Sequence, residues 1–409
     1  MGTRTGSADL PLHGGAVPAW LAERMARLGR VIVEAIVLEY GRAELLRRLA
    51  HPFWFQSLGC VMGMDWHSSG ITTSVVGALK RGLHPVEWEL GLHVCGGRGR
   101  HSRRTPDELR ALGERLGLNG DSLTRKSRLV AKVDSAAVQD GFELYLHGFI
   151  LADDGAWTVV QQGMNPALKT ARRYHWLSER VRSFVDEPHA AIEGAPRGTL
   201  INLTDRRALA SRDAQLALVA GDLDRVMAAA RELPRLQMPA HHDVRPSDVV
   251  LRRLRGSLEA AASRAPADFA ELLLTPGLGA RTVRALALVA EIIHGAPCRF
   301  TDPARFSLAH GGKDGHPFPI PLKVYDRTLA VMRAAVEQAR LGNDERLAAL
   351  RRLDAESRRL ERAFTAADFT ELIDDEWRAS PDYGGKTVFG DARPQPATPR
   401  KPQQLALPL

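Results

Sequence analysis

The chain has 409 residues, 44% of them hydrophobic, and a formal net charge of +8. That length gives room for two domains, each with its own core. The three cysteines, Cys60, Cys95 and Cys298, are too scattered for a disulfide framework or a zinc set and point to a reducing compartment.

Arginine outnumbers lysine, 48 to eight. A GC-rich genome would raise that ratio. It would not raise the net charge, which favours a polyanionic partner gripped by planar guanidinium forks. The opening "MGTRTGSADLPLHGG" has no apolar leader, and the most apolar helical run, "VIVEAIVLEYG", is interrupted by Glu34 and Glu39. Neither export nor a membrane span is expected, so the expected location is the cytoplasm, at the nucleoid.

In chain order, Pro18 opens a helical pattern with Trp20, Leu21, Met25, Leu28, Ile32 and Ala35 on one face. "HPFWFQSLGCVMGMDWHSSG" then gathers Phe53, Trp54 and Phe55 around a glycine-rich turn. "VEWELGLHV" reads as a buried strand that runs into a basic loop, "CGGRGRHSRRT". Arg98, Arg100, Arg103 and Arg104 of that loop are candidate DNA contacts, and Thr105, Pro106 and Glu108 predict a capping box that starts the next helix. "FELYLHGFILADDGAWTVVQQGM" predicts a β-hairpin around an Asp-Asp-Gly turn. From about Asn165 the pattern reads as helical almost to the end.

These elements predict an α+β fold, mostly helical, with a small antiparallel β unit in an N-terminal domain over residues 1–236. An all-α domain over 237–341 is expected after a break near "RLQMPAHHDVRP", followed by a helical extension over 342–390. The tail, 391–409, has five prolines in nineteen residues and is expected to be extended and disordered.

"LLLTPGLGARTVRALALVAEIIHG" is similar to a helix-hairpin-helix element. Gly277 and Gly279 would let the backbone approach a phosphate, free N–H groups at the second helix would point at it, and Arg281, Thr282 and Arg284 would hold it without reading sequence. An ordinary tight turn with glycine caps is the competing reading. The terminal "QLALPL" is similar to the bacterial sliding-clamp-binding hexapeptide through Gln404, Leu405, Leu407 and Leu409, a short apolar peptide on a flexible tether that needs a pocket on a partner.

Candidate chemistry lies in four stretches. "MDWHSSGITT" carries Asp65 and His67, which suit a metal or a scissile phosphate, or else an Asx-type helix cap. The hairpin and its approach offer Asp134, Asp140, Glu143, His147, Gln161 and Gln162. With a strand starting at Phe142, Glu143, Tyr145 and His147 would share a face, and Gln161 would lie on the neighbouring strand. "ARRYHW", read as helical, offers Arg172 and Arg173 as a phosphate clamp, and "PAHHDV" offers His241, His242 and Asp243 as metal ligands.

Taken together, "WLAERM", "HPFWFQSLGC", "DWHSSG", "GLHVCGG", "QDGFELYLHGF", "VVQQGMN", "ARRYHW", "MPAHHDV" and "TPGLGARTVRAL" resemble the prokaryotic domain-of-unknown-function family 763 over roughly residues 10 to 390. The resemblance implies a DNA-acting protein and a metal-dependent nuclease. In that reading Mg2+ or Mn2+ is held by Asp65, Asp140, His241, His242 and Asp243, with Asp65, His67, Asp140, His147, Gln161 and Gln162 around the reacting phosphate. Two other readings stand beside it. One is a DNA glycosylase, because Gly295, Pro297 and Asp302 follow the hairpin in the order of that superfamily. The other is a non-catalytic adaptor that joins DNA to the clamp.

Overall fold

The computed structural model describes residues 10–11, 19–64, 69–232 and 251–304, with short pieces at 330, 334, 386–387 and 390–391. The chain begins with a short strand β1 (Leu10–Pro11) and a long helix α1 (Ala19–Ala50), which is broken where Gly41 takes φ 82°. In α2 (Pro52–Val61) the His51 side chain caps the first turn by accepting from the Trp54 N–H, with proline at the first helical position. Helix α3 (Gly70–Leu83) and the single turn α4 (Glu87–Leu90) follow. Gly91 ends α4 in the left-handed region at φ 61°, so "VEWELGLHV" divides into that turn and a strand, β2 (Leu92–Arg98).

The expected basic loop is helical. Helix α5 (Arg100–Leu116) starts directly after β2, with Pro106 inside it. The capping box is therefore replaced. Thr105 Oγ donates back to the His101 and Ser102 carbonyls, and Glu108 accepts from the Gly96 N–H at 2.8 Å and from Lys80 Nζ at 2.7 Å. Helix α6 (Gly120–Lys132) leads into a π-helical turn at Val133–Ala137, closed by the Val138 N–H on the Val133 carbonyl.

The hairpin forms as expected, from β3 (Glu143–Ala152) and β4 (Trp157–Asn165), but the helical reading beyond Asn165 is overturned. β5 (Thr170–Leu177), β6 (Ala191–Glu193) and β7 (Thr199–Ile201) come first. Only then follow α7 (Leu209–Ala220) and α8 (Leu223–Glu232), and later α9 (Leu251–Arg264), α10 (Phe269–Leu273), α11 (Ala280–His294) and β8 (Arg299–Thr301). "ARRYHW" is a strand buried on both faces. Such strands show no polar–apolar alternation, and their arginines read from sequence as solvent-facing.

The central sheet runs β1-β5-β4-β3-β2, with β6 also on β5, and every pairing is antiparallel. One face, with Leu92, Val94, Leu146, Ile150 and Val160, packs on α1–α3. The other, with Phe149, Trp157, Val159, Tyr174 and Trp176, packs on α5, α6 and the later helices. The fold is α+β, mostly helical, with the sheet as its middle layer.

A bulge in β3 between Leu144 and Leu146 shifts the register. Tyr145 therefore packs with the α1–α3 cluster while His147 faces α6, so the expected common face of Tyr145 and His147 is not formed. The expected domain break near residue 237 lies outside the described residues. On either side of it, α7, α8, α9 and α11 contribute to one apolar cluster with the sheet, and β7 pairs with β8 across it.

Candidate functional site

A cleft of about 670 Å³ opens where α5, α6, the start of β3 and the start of α11 meet. Its mouth is basic. Arg103 comes from α5, Arg128 and Lys132 from α6, and Arg281 and Arg284 from α11, with Glu143 as the carboxylate among the lining residues.

The helix starts add to this charge. Neither α5 nor α11 has a side-chain N-cap, and neither has an acidic residue in its first turn. Both present the positive end of a helix dipole beside arginines, an arrangement that repels itself unless an anion is present. Arg100, Arg103, Arg104, Arg128 and Arg281 are exposed and have no partner among the described residues. Arg98 lies 5.9 Å over the Tyr145 ring.

Two glycines shape the approach. Gly96, at φ 87°, brings β2 so close to β3 that a Cβ there would meet the His147 carbonyl oxygen at 2.1 Å. Gly277, at φ 81° and exposed, turns the chain between α10 and α11. Gly279 is extended and leads into α11, and Leu278 and Thr282 are buried.

The turn is fixed to the sheet layer from below. Lys132 Nζ donates to the Leu278 carbonyl at 2.5 Å, and Gln139 Nε2 donates to the Ala280 carbonyl at 2.8 Å. Arg284 Nε donates to Gln139 Oε1 at 2.6 Å. Burial lowers the Lys132 ammonium from its ordinary value.

The cleft floor is a buried polar chain. Ser127 Oγ and His147 Nε2 lie 2.9 Å apart, and His147 Nδ1 and Gln161 Oε1 lie 2.6 Å apart. Gln161 Nε2 donates to Asp134 Oδ2 and to the Val130 carbonyl, which turns its Oε1 toward the imidazole. Asp134 also accepts from Trp176 Nε1 at 3.0 Å and binds His189 Nε2 at 2.5 Å. Burial pushes His147 below the usual imidazole range, against smaller opposing effects from Gln161 and Asp134, so the ring is neutral near pH 7.

Ser127, Asp134 and His189 carry this chain with His147 and Gln161. "KSRLV" gives no hint that Ser127 points inward. The one available signal was its place two turns along an amphipathic helix whose apolar face includes Leu123 and Val130.

Other expected site residues have structural partners. Asp140 Oδ2 accepts from Arg172 Nη1 and Tyr174 Oη, each at 2.8 Å, and Oδ1 accepts from the Phe142 N–H. With its oxygens occupied and its side chain buried, Asp140 is not an open metal ligand. Burial raises its carboxyl even so, against the pull of Arg172, Tyr174 and the Phe142 N–H.

Arg172 bridges Asp140 and Asp302, and Arg173 pairs with Glu193, Gln56 and Thr72. Both guanidiniums are 0% exposed, which corrects their expected role as a phosphate clamp. Asp302, the expected glycosylase aspartate, is bidentate with Arg172 and accepts from the Arg197 and Ala304 N–H groups, away from the cleft lining.

Gln162 faces the other side of the sheet, where it donates to the Ser69 carbonyl at 3.0 Å and to Tyr145 Oη at 2.8 Å. Asp65, His67, His241, His242, Asp243, Gln404, Leu405, Leu407 and Leu409 lie outside the described residues. Among the described residues no three His, Cys, Asp or Glu side chains cluster as metal ligands, and no helix is long and apolar enough to cross a membrane.

No curated protein and no solved structure matches the chain. Residues 6–320 match the family described as a protein of unknown function, DUF763, and the chain belongs to that family.

Proposed function

We propose that the protein binds DNA through its sugar–phosphate backbone, without regard to base sequence, and acts on that backbone. In this reading α10, the Gly277 turn and α11 form a helix-hairpin-helix element, and the first turn of α5 is a second phosphate-binding point. One observation carries the proposal. Two uncapped helix starts and three arginines without a partner among the described residues, Arg103, Arg128 and Arg281, converge on a single cleft. Guanidiniums and helix N-termini hold phosphate oxygens and carry no base information.

The salt dependence of binding tests this. Removing one cation from the phosphate backbone should lower the log–log slope by about 0.9, so Arg103→Ala, Arg128→Ala and Arg281→Ala together should lower it by between two and three, equally on two unrelated duplexes. A slope unchanged by the triple variant, or a weakening confined to one sequence, overturns the reading.

Mg2+- or Mn2+-dependent cleavage is a second reading. Of its expected ligands, Asp65, His241, His242 and Asp243 lie outside the described residues, as does the expected catalytic His67. The described residue next to the Asp65–His67 stretch, Ser69, is tied through its carbonyl to Gln162, on the face of the sheet opposite the cleft. Asp140, the expected ligand within the described residues, is buried and its oxygens already accept from the Phe142 N–H, Arg172 and Tyr174.

Gln404–Leu409 is further proposed to dock on a sliding clamp. A chain ending at residue 403 should lose binding to the purified clamp and keep its DNA affinity. Equal clamp binding by both chains sinks this part alone.

A further inference from the structure

We propose that Ser127 is a nucleophile and His147 its general base, so that the protein breaks a DNA phosphodiester through a covalent phosphoseryl link at the cleft floor. The inference rests on the proposed backbone binding and supplies its chemistry.

A serine hydroxyl attacks when a neutral base takes its proton and a third group fixes that base. All three parts are present. Ser127 Oγ lies 2.9 Å from His147 Nε2, and His147 Nδ1–H donates to Gln161 Oε1 at 2.6 Å. Gln161 is locked by Asp134 and the Val130 carbonyl. Asp134 is set inward by the π-helical turn and is held by Trp176 and His189. A His147 tautomer protonated at Nδ1 leaves the Nε2 lone pair toward Ser127. Burial keeps the ring neutral, the state a base requires.

A second buried histidine provides a contrast. His175, on the opposite face of the sheet, hydrogen-bonds the Leu49 carbonyl through Nδ1 and packs edge-on to the Phe55 ring, and its Nε2 has no partner among the described residues. Burying a strand histidine in this protein does not by itself bring a hydroxyl to it. Ser127, His147 and Gln161 all line the cleft whose mouth carries Arg103, Arg128 and Arg281, so the oxygens of an attacked phosphate would meet cations already in position.

The step balances with water as the only co-reactant. Ser127 Oγ forms a bond to phosphorus while its proton moves to His147 Nε2. The bond from phosphorus to one deoxyribose oxygen breaks, and that oxygen takes the proton from Nε2. Water then attacks phosphorus, passes a proton to Nε2, and Ser127 Oγ leaves and regains it. One phosphodiester and one water give one phosphomonoester and one alcohol.

The test uses the full chain with duplex and single-stranded DNA bearing a bridging phosphorothiolate at either the 3′ or the 5′ position, in EDTA. Binding is followed by anisotropy. Covalent product is followed by a denaturing gel and peptide mass spectrometry. Wild type should give an adduct on the peptide containing Ser127. Ser127→Ala should give none while keeping its melting temperature and DNA affinity, and His147→Asn should slow adduct formation by at least about 100-fold. Should Ser127→Ala fold poorly, Ser127→Cys should carry a thiol-linked adduct at the same position. DNA binding by wild type without an adduct from either probe, or an adduct that persists in Ser127→Ala, overturns the serine mechanism alone. Failure of wild type to bind DNA overturns the backbone-binding reading and this inference with it.

Discussion

The two faces of the sheet differ most clearly along β5, where neighbouring arginines point opposite ways. On the α1–α3 side, Arg173 is enclosed with Glu193, Gln56 and Thr72, and the surrounding layer is closed and largely apolar. On the other side, Arg172 is bidentate with Asp302 and also holds Asp140, and the same layer carries the Ser127–His147–Gln161–Asp134 chain up to a basic cleft. The second face thus has two kinds of cation a short way apart. Arg172 has its carboxylates and is structural, whereas Arg103, Arg128 and Arg281 have no partner among the described residues and are free for a ligand. For an arginine in this protein, the partner rather than the sequence neighbourhood decides the role.

The largest expected effect follows from removing a buried guanidinium. Arg172→Met would leave Asp140 and Asp302 desolvated and unpaired, and should lower stability by about 3–5 kcal/mol in urea titration. Arg173→Met leaves a single carboxylate, Glu193, and should fall in the lower half of that range. Neutralising the partners as well, with Asp140→Asn and Asp302→Asn beside Arg172→Met, should recover part of that stability, because the cost lies in the uncompensated charges. By contrast, Arg103→Ala, Arg128→Ala and Arg281→Ala should each stay within about 0.5 kcal/mol of wild type. If Arg172→Met is as mild as these surface variants, the division of arginines by partner is wrong.

That division also marks what was legible in the sequence. The β3–β4 hairpin was legible because two β-rich runs flank a turn, and the glycine turn before α11 because Pro276, Gly277 and Gly279 punctuate it. Gln161 was placed correctly on the strand beside that of His147, and antiparallel pairing makes the two register partners.

The misreadings share one physical cause. Long-range partners are invisible locally. Asp302 meets Arg172 from 130 positions away, Ser127 reaches His147 across a helix–strand interface, and Glu108 serves Gly96 and Lys80 rather than its own helix start. The β3 bulge likewise has no signal in "FELYLHGF", yet it moves Tyr145 to the face opposite His147.

The smallest expected effect is in acid and again compares the two faces. Burial is the largest influence on His147 and His175, and it lowers both imidazoles below their ordinary value of 6.5, His175 the further. His51, the N-cap of α2, is lowered as well, by burial and then by Arg180. A depressed imidazole means that the unfolded chain binds more protons than the folded one once pH drops below 6.5. Stability from these groups is therefore present above that pH and is lost as pH falls toward the folded values, by at most about 1.4 kcal/mol per pH unit for each group. Asp140, raised by burial, acts with the opposite sign nearer its ordinary value of 3.8, so the decline should flatten at lower pH. Urea titrations at pH 7.5, 6.5 and 5.5 should show this decline. His175→Gln on the closed face and His147→Gln on the cleft face should each remove one group's share of the slope, whatever either does to stability at pH 7.5. Phosphate or short DNA should restore stability at pH 5.5 through the cleft arginines alone, and so to the same extent in both variants. A decline below pH 6.5 that neither substitution reduces would mean that the two imidazoles are not held neutral, and the two faces would then have no common acid response.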